Sequence, residues 1–282
     1  MKFFFSMRLL IGVLLIYLNI CFFNLFAQKT VEQNDRLNFL HKSMGVKSSI
    51  IVYNQQKNKL ITNDTLALNH PCSPNGTFYL YETLIGLESG NIKDTTEIYP
   101  WDLVFYPNQN WNQDQHLTTA LKHQTDWYFK QVAKAIDTNK MKSWLKLIGY
   151  GNRDISGGID NFWKNNSLKI SVKQQFDLFK RLYSYNLPFS FEHLRFIRKA
   201  FTVNRLVNKN LYSFKTKGMN QDKPIIWYLG YIEFLNNTYL VVHCVEMNTR
   251  KKNKYFSTIQ SELLFATLKE LGILDDSMCG KM

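Results

Sequence analysis

The residue types that do chemistry are present in this sequence, but their spacing assembles few local sites. His41, His70, His116, His123, His193 and His243 are dispersed, with no His-Glu-x-x-His pattern. Metal centres gather His, Cys and carboxylate donors at short fixed intervals, and no two cysteines here have zinc-site spacing either. No metal or other cofactor is therefore expected. Cys72, Cys244 and Cys279 follow the amino-terminal segment, an odd number that permits one bridge and one free thiol, or no bridge. The one dense charge run, Arg250-Lys251-Lys252-Asn253-Lys254, reads as a solvated turn rather than a binding patch.

The segment ahead of these residues is of a different kind. Lys2 and Arg8 precede an apolar stretch from Leu9 to Leu18, and Leu25-Phe26-Ala27 closes it, the pattern of a secretory signal cut before Gln28. The expectation is a signal peptide over residues 1–27, export across the inner membrane to the periplasm, and no stable membrane span after cleavage. A retained signal would instead leave a membrane anchor. Taking Lys2 and Arg8 from the 35 basic residues leaves 33 against 22 acidic ones, so the exported chain stays basic. That balance suits an anionic wall polymer or membrane surface, and export argues against nucleic acid as a partner.

Elements to position a site are legible by periodicity. Ser48–Tyr53 and Lys59–Ile61 flank a polar segment and read as a hairpin, and Ile225–Phe234 with Thr238–Met247 read as a second. Between them the texture is helical. Leu117, Leu121, Tyr128, Val132 and Ile136 recur at helical spacing, as do Val172, Phe176, Phe179 and Tyr183 after Ser171. Leu264, Leu268 and Leu271 mark a closing helix that ends at Gly272. Strands at both ends around a helical middle imply a mixed α/β fold, with a sheet built from distant parts of the chain. No repeat or Pro/Gly/Ser-rich linker divides residues 28–282, so one domain is expected. The 21 Phe, 15 Tyr and 6 Trp fit a thick core or a stacking surface equally well.

Seven stretches follow one another along the chain: Thr83–Gly90, Trp111-Asn112-Gln113-Asp114, Trp127-Tyr128-Phe129, the long run from Tyr150-Gly151-Asn152 to Phe162-Trp163, Leu187-Pro188-Phe189-Ser190, Trp227–Glu233 and Leu271-Gly272-Ile273-Leu274. Together and in this order they resemble the class D serine beta-lactamases of the penicillin-binding and transpeptidase-like superfamily. The resemblance implies an antiparallel sheet flanked by helices, with an inserted helical region. It also implies beta-lactam hydrolysis by a serine three residues before a carboxylated lysine.

The positions where that chemistry should sit hold other residues. The resemblance puts the nucleophile at Gly76 and the lysine at Tyr79, the second motif at Gln124-Thr125-Asp126, and the third at Lys215-Thr216-Lys217-Gly218. Glycine has no atom with which to form an acyl-enzyme, and a tyrosine hydroxyl of ordinary pKa about 10 is a poor base near neutrality. Gly76, Tyr79, Gln124 and Asp126 are thus read as degenerate catalytic positions. Tyr79, Gln124, Asp126, Tyr150, Asn152, Lys215, Thr216 and Lys217 are the expected ligand cleft, with Asp126 pairing to His123 or Lys215 and Lys215 available for an anion. The functional expectation is an inactive beta-lactamase-like envelope protein that binds a peptidoglycan fragment, another small anion or an envelope protein. The alternative is a penicillin-binding hydrolase with unorthodox residues, for which Ser73 and Thr77 are the substitute nucleophiles.

Overall fold

A computed structural model describes residues 31–206, 208–234, 236–249 and 254–275. The expected signal peptide over residues 1–27, Cys279 and residues 250–253 of the basic run lie outside the described residues. In chain order the elements are β1 (Val31–Gln33), α1 (Asp35–Ser43), β2 (Val46–Asn54), β3 (Lys59–Thr62), β4 (Pro71–Cys72) and α2 (Phe78–Glu88). The helical region follows with α3 (Leu117–His123), α4 (Asp126–Ile136), α5 (Thr138–Ile148), β5 (Ile170–Ser171), α6 (Val172–Tyr183) and α7 (Phe191–Lys199). The chain returns through β6 (Thr202–Leu206), β7 (Lys209–Asn220), β8 (Lys223–Phe234), β9 (Asn237–Met247) and α8 (Phe256–Glu270).

Seven strands form one sheet in the order β1-β3-β2-β9-β8-β7-β6, antiparallel except for the β1–β3 pair. Both expected hairpins are there, and β9 of the second pairs with β2 of the first along its whole length. The sheet is thus closed from the two ends of the chain, as the mixed α/β reading requires.

Side chains alternate across a strand, and both faces of the central strands are buried. On β8, Trp227, Leu229 and Tyr231 join a large core under the helical region, whereas Tyr228 and Ile232 join a smaller one under α8. Among the described residues most aromatic side chains are buried in the core or packed against it. Phe78 lies against Tyr150, Phe162 and Trp163, all fully buried. Burying side chains of this size gives roughly 1.5–3 kcal/mol each before conformational entropy is charged against it.

Local chemistry sets the helix ends. Ser171 caps α6, its hydroxyl accepting from Gln174 N while the Gln174 side chain accepts from Ser171 N. Asp137 caps α5 through its carboxylate, which accepts from Asn139 N and Lys140 N, and Gly149 ends the helix in the left-handed conformation. The single helical period read from Leu117 to Ile136 is corrected here: the segment is two helices. Gln124 takes a left-handed φ of 51° and stops α3, and α4 starts afresh at Asp126. Apolar spacing continues across the break because both helices bury the same side, so periodicity alone does not show it.

Candidate functional site

Gly76 lies in a 3-10 turn, Asn75–Thr77, that leads into α2. A Cβ at this position would come within 3.1 Å of the Thr216 Cβ and of the Gln124 Oε1. Gln124 reaches this point because its backbone turns left-handed, and its Nε2 donates to the Lys215 carbonyl at 2.7 Å. On the other side of Gly76, the Asn75 side chain mimics a strand. Its Nδ2 donates to Met219 O at 3.0 Å and its Oδ1 accepts from Met219 N at 3.2 Å. Gly218 makes room for it, since a Cβ there would fall 2.0 Å from the Asn75 Oδ1. β6 pairs β7 only from Lys209 to Ser213. The edge of β7 beyond that point is therefore met by Gln124 at Lys215 and by Asn75 at Met219.

A charged cluster lies one helical turn on. The Tyr79 ring stacks on Phe129 at 3.9 Å between centroids, and its hydroxyl donates to Asp126 Oδ1 at 2.9 Å. Asp126 also meets Lys164 at 2.9 Å and Lys130 at 3.2 Å. Burial pushes the Asp126 pKa up, but the two ammonium groups and the Tyr79 hydroxyl outweigh it and hold the carboxyl below its usual range. Tyr79 moves the other way, raised well above its ordinary value by burial and then by the Asp126 charge. Nearby Glu82 is fully buried, neither carboxyl oxygen has a hydrogen-bond partner among the described residues, and burial raises its pKa well above normal.

The expected cleft does not come together as one site. Gly76, Gln124 and Thr216 are in contact, and Tyr79 with Asp126 is close by. Lys215 is on the opposite face of β7 from Thr216, where its Nζ donates to Ser261 Oγ at 3.0 Å on α8. Burial, followed by the neighbouring Lys217, lowers its pKa to about 8. Lys217 is exposed. Tyr150 is fully buried beneath α2 rather than on a cleft wall, in edge contact with Phe78 and Tyr81. Asn152 closes the 152–169 loop, donating to Ser167 O and accepting from Lys169 N, and lines a separate cavity of about 260 Å³. The pairing of Asp126 with His123 or Lys215 is corrected to Tyr79, Lys130 and Lys164. Ser73 and Thr77 are fully buried, and their hydroxyls donate to Trp163 O and Pro74 O.

The face under α8 holds a second line of polar side chains whose proton directions follow from its end. Thr267 donates to Leu263 O, so its oxygen accepts from His41 Nε2 at 2.8 Å. His41 Nδ1 then accepts from the Ser48 hydroxyl at 2.7 Å, and Ser48 accepts from His243 Nε2 at 2.8 Å. Burial lowers the His41 pKa to about 4 and that of His243 well below normal, so both rings are neutral.

Asn75, Glu82, Lys130 and Lys164 are the site residues that sequence reasoning missed. The Asn-Gly pair at 75–76 is a turn signal, because asparagine tolerates the left-handed region, and Asn75 has φ 48°. Asp126 and Lys130 stand at i,i+4 on one helix face. Lys164 had no signal of that kind, since only the fold brings it to Asp126.

The comparisons agree with this architecture. A family profile described as Penicillin binding protein transpeptidase domain matches residues 46–217. The Bacillus subtilis (strain 168) protein described as "Probable beta-lactamase YbxI" is 31% identical over 206 residues, which is 73% of this chain and 77% of that protein. The Staphylococcus aureus methicillin resistance mecR1 protein is 30% identical over 199 residues, 69% of this chain but 33% of its own length. Among solved structures, the class D beta-lactamase from Sebaldella termitidis superposes with a TM-score of 0.81 at 26% identity, covering 88% of this chain and 100% of that one.

Proposed function

Since this chain belongs to the penicillin-binding-protein transpeptidase and class D beta-lactamase family, we propose that it is a catalytically inactive, beta-lactamase-like protein of the bacterial envelope, acting by binding rather than turnover. The observation that carries the reading is Gly76. The position expected to hold the nucleophile has no side chain, and Thr216 and Gln124 stand 3.1 Å from where a Cβ would be. An acyl-enzyme needs an oxygen, sulfur or nitrogen nucleophile with room for a tetrahedral centre beside it. At the expected lysine position, Tyr79 is a hydrogen-bond donor with a raised pKa, the reverse of a base poised near neutrality.

The same contacts bear on binding. The edge of β7 beside Gly76 is met by Asn75 and Gln124 in this chain. Entry of a wall fragment at that edge requires these two side chains to swing away. A partner protein on the outer surface does not. Residues 1–27 act as the export signal on this reading, and residues 28–282 as one periplasmic domain.

The alternative, a hydrolase with a substitute nucleophile, would use Ser73 or Thr77. Both hydroxyls are buried and committed to backbone carbonyls. The deciding experiment is intact-mass analysis after incubation with a panel of beta-lactams, with a hydrolysis assay on the same sample. We expect unchanged mass and no turnover in folded protein. A stable mass increment, or turnover lost in Ser73→Ala or Thr77→Ala, overturns the proposal.

A further inference from the structure

Cys72 and Cys244 lie far apart in the chain and both are free and buried. Cys72 ends β4, the short strand just before the Gly76 turn, and Cys244 is in the middle of β9. Two independent connections hold the first against the second. Trp227 is the register partner of Cys244 on the neighbouring strand β8, and its indole Nε1 donates to Ser73 O at 2.9 Å, one residue from Cys72. Ser73 N donates to Asn220 Oδ1 at 3.1 Å, and Asn220 in turn bonds Glu246, two residues beyond Cys244 on the same face of β9. Both cysteines belong to the core under the helical region, where the Cys72 Sγ lies 4.0 Å from the His70 carbonyl oxygen.

The pair is also reachable. Cys72 and Cys244 line one cavity of about 490 Å³, together with Ser49, His70, Val172 and Glu246. That cavity is the approach a small reagent has to this buried pair.

We propose that Cys72 and Cys244 form a redox pair that closes to a disulfide across this cavity, tying the segment that leads into the Gly76 turn to the central strand of the sheet. The oxidant is a disulfide, either a low-molecular-weight one or the active-site disulfide of a thiol–disulfide oxidoreductase. One protein thiolate attacks it, forming a mixed disulfide and releasing one thiol. The second protein thiolate then displaces the other thiol and completes the protein S–S bond. Two protein S–H bonds are lost, one S–S bond forms, and the oxidant's S–S bond is reduced to two thiols. Burial and the neighbouring Cys72 raise the Cys244 pKa well above normal, so closure of the folded protein accelerates with pH. None of this depends on whether Gly76 has abolished catalysis.

The test uses the full chain with its 4 cysteines. Reduced protein is incubated with oxidised glutathione at mildly alkaline pH, its remaining thiols are alkylated, and a proteolytic map is made without reduction. The expected result is a linked peptide joining Cys72 to Cys244, with the mass of two hydrogens lost. A Tm higher by roughly 5 °C or more, reversed by dithiothreitol, should accompany it, because the crosslink closes a long loop. Maps dominated by pairs with Cys21 or Cys279, by glutathione adducts, or by alkylated Cys72 and Cys244 in folded protein overturn the proposal.

Discussion

The Asp126 cluster and the His41–Ser48–His243 line occupy opposite faces of the same sheet, and they solve the burial of polar groups in opposite ways. Around Asp126 a carboxylate keeps its charge, since Lys164, Lys130 and the Tyr79 hydroxyl together outweigh desolvation. Under α8 no charge is kept. The imidazoles are neutral, and the proton order in the line is fixed by the Leu263 carbonyl that Thr267 must serve. Either set of residues, seen as a list, suggests catalysis. Their surroundings differ: one is an ion cluster closing over an aromatic core, and the other is a hydrogen-bonded brace joining α1, β2, β9 and α8.

Acid separates the two. The folded-state pKa of His41 is depressed to about 4 from its ordinary 6.5, so the unfolded chain takes up the proton first. Its contribution is fully present above pH 6.5 and is lost as pH falls toward 4, amounting to about 3 kcal/mol at 1.36 kcal/mol per pKa unit. His243 acts in the same direction. Asp126 is lowered instead, so its contribution persists until pH falls below the ordinary carboxylate range. Denaturant titrations between pH 7 and 4 should therefore show a steep loss that His41→Gln flattens and Asp126→Asn does not. An equal loss in both variants removes the distinction between the two faces.

Asp126→Ala should lower stability by about 2 kcal/mol at pH 7, because it leaves the buried Tyr79 hydroxyl without its acceptor. The lysines, each more than a third exposed, turn to water and add little. Asp126→Asn keeps an acceptor and should recover about half of the loss. Urea unfolding of the two variants measures the difference, and equal losses would mean that the charge, not the hydrogen bond, carries the effect.

Gly76→Ala tests the closed turn by itself. The added methyl group meets Thr216 and Gln124 at 3.1 Å, tighter than ordinary packing, and should destabilise by about 1 kcal/mol. Gln124→Ala in the same background should relieve part of the strain, so the pair should be non-additive in a double-mutant cycle. Additivity would indicate that the turn is looser than its contacts imply.

Much of this molecule was legible in the order of its residues. Both hairpins, the capped helix at Ser171 and the end of the last helix follow from alternation, capping residues and glycine placement, which are local effects. The helix break at Gln124 was not legible, since apolar spacing runs through it unchanged. The candidate site was half legible. Gly76 and Tyr79 reveal by type alone that serine and lysine are missing from the expected positions, and Asp126 stood out as a carboxylate in the second-motif position. Its partners did not, because Lys164 comes from a loop remote in sequence. Tyr150, Asn152 and Lys215 share a motif context with Gly76 but not a location.

The sequence by itself determined the mixed α/β arrangement, the motif stretches that carry the family resemblance, and which side chains are available, because periodicity and residue type are properties of the chain. Whether those side chains meet was decided by the tertiary structure. A one-residue step along β7 sends Thr216 to Gly76 and Lys215 to α8, and a left-handed turn brings Gln124 to the strand edge. Strand alternation and backbone handedness act over single residues, yet they have consequences only once a distant element is packed against them.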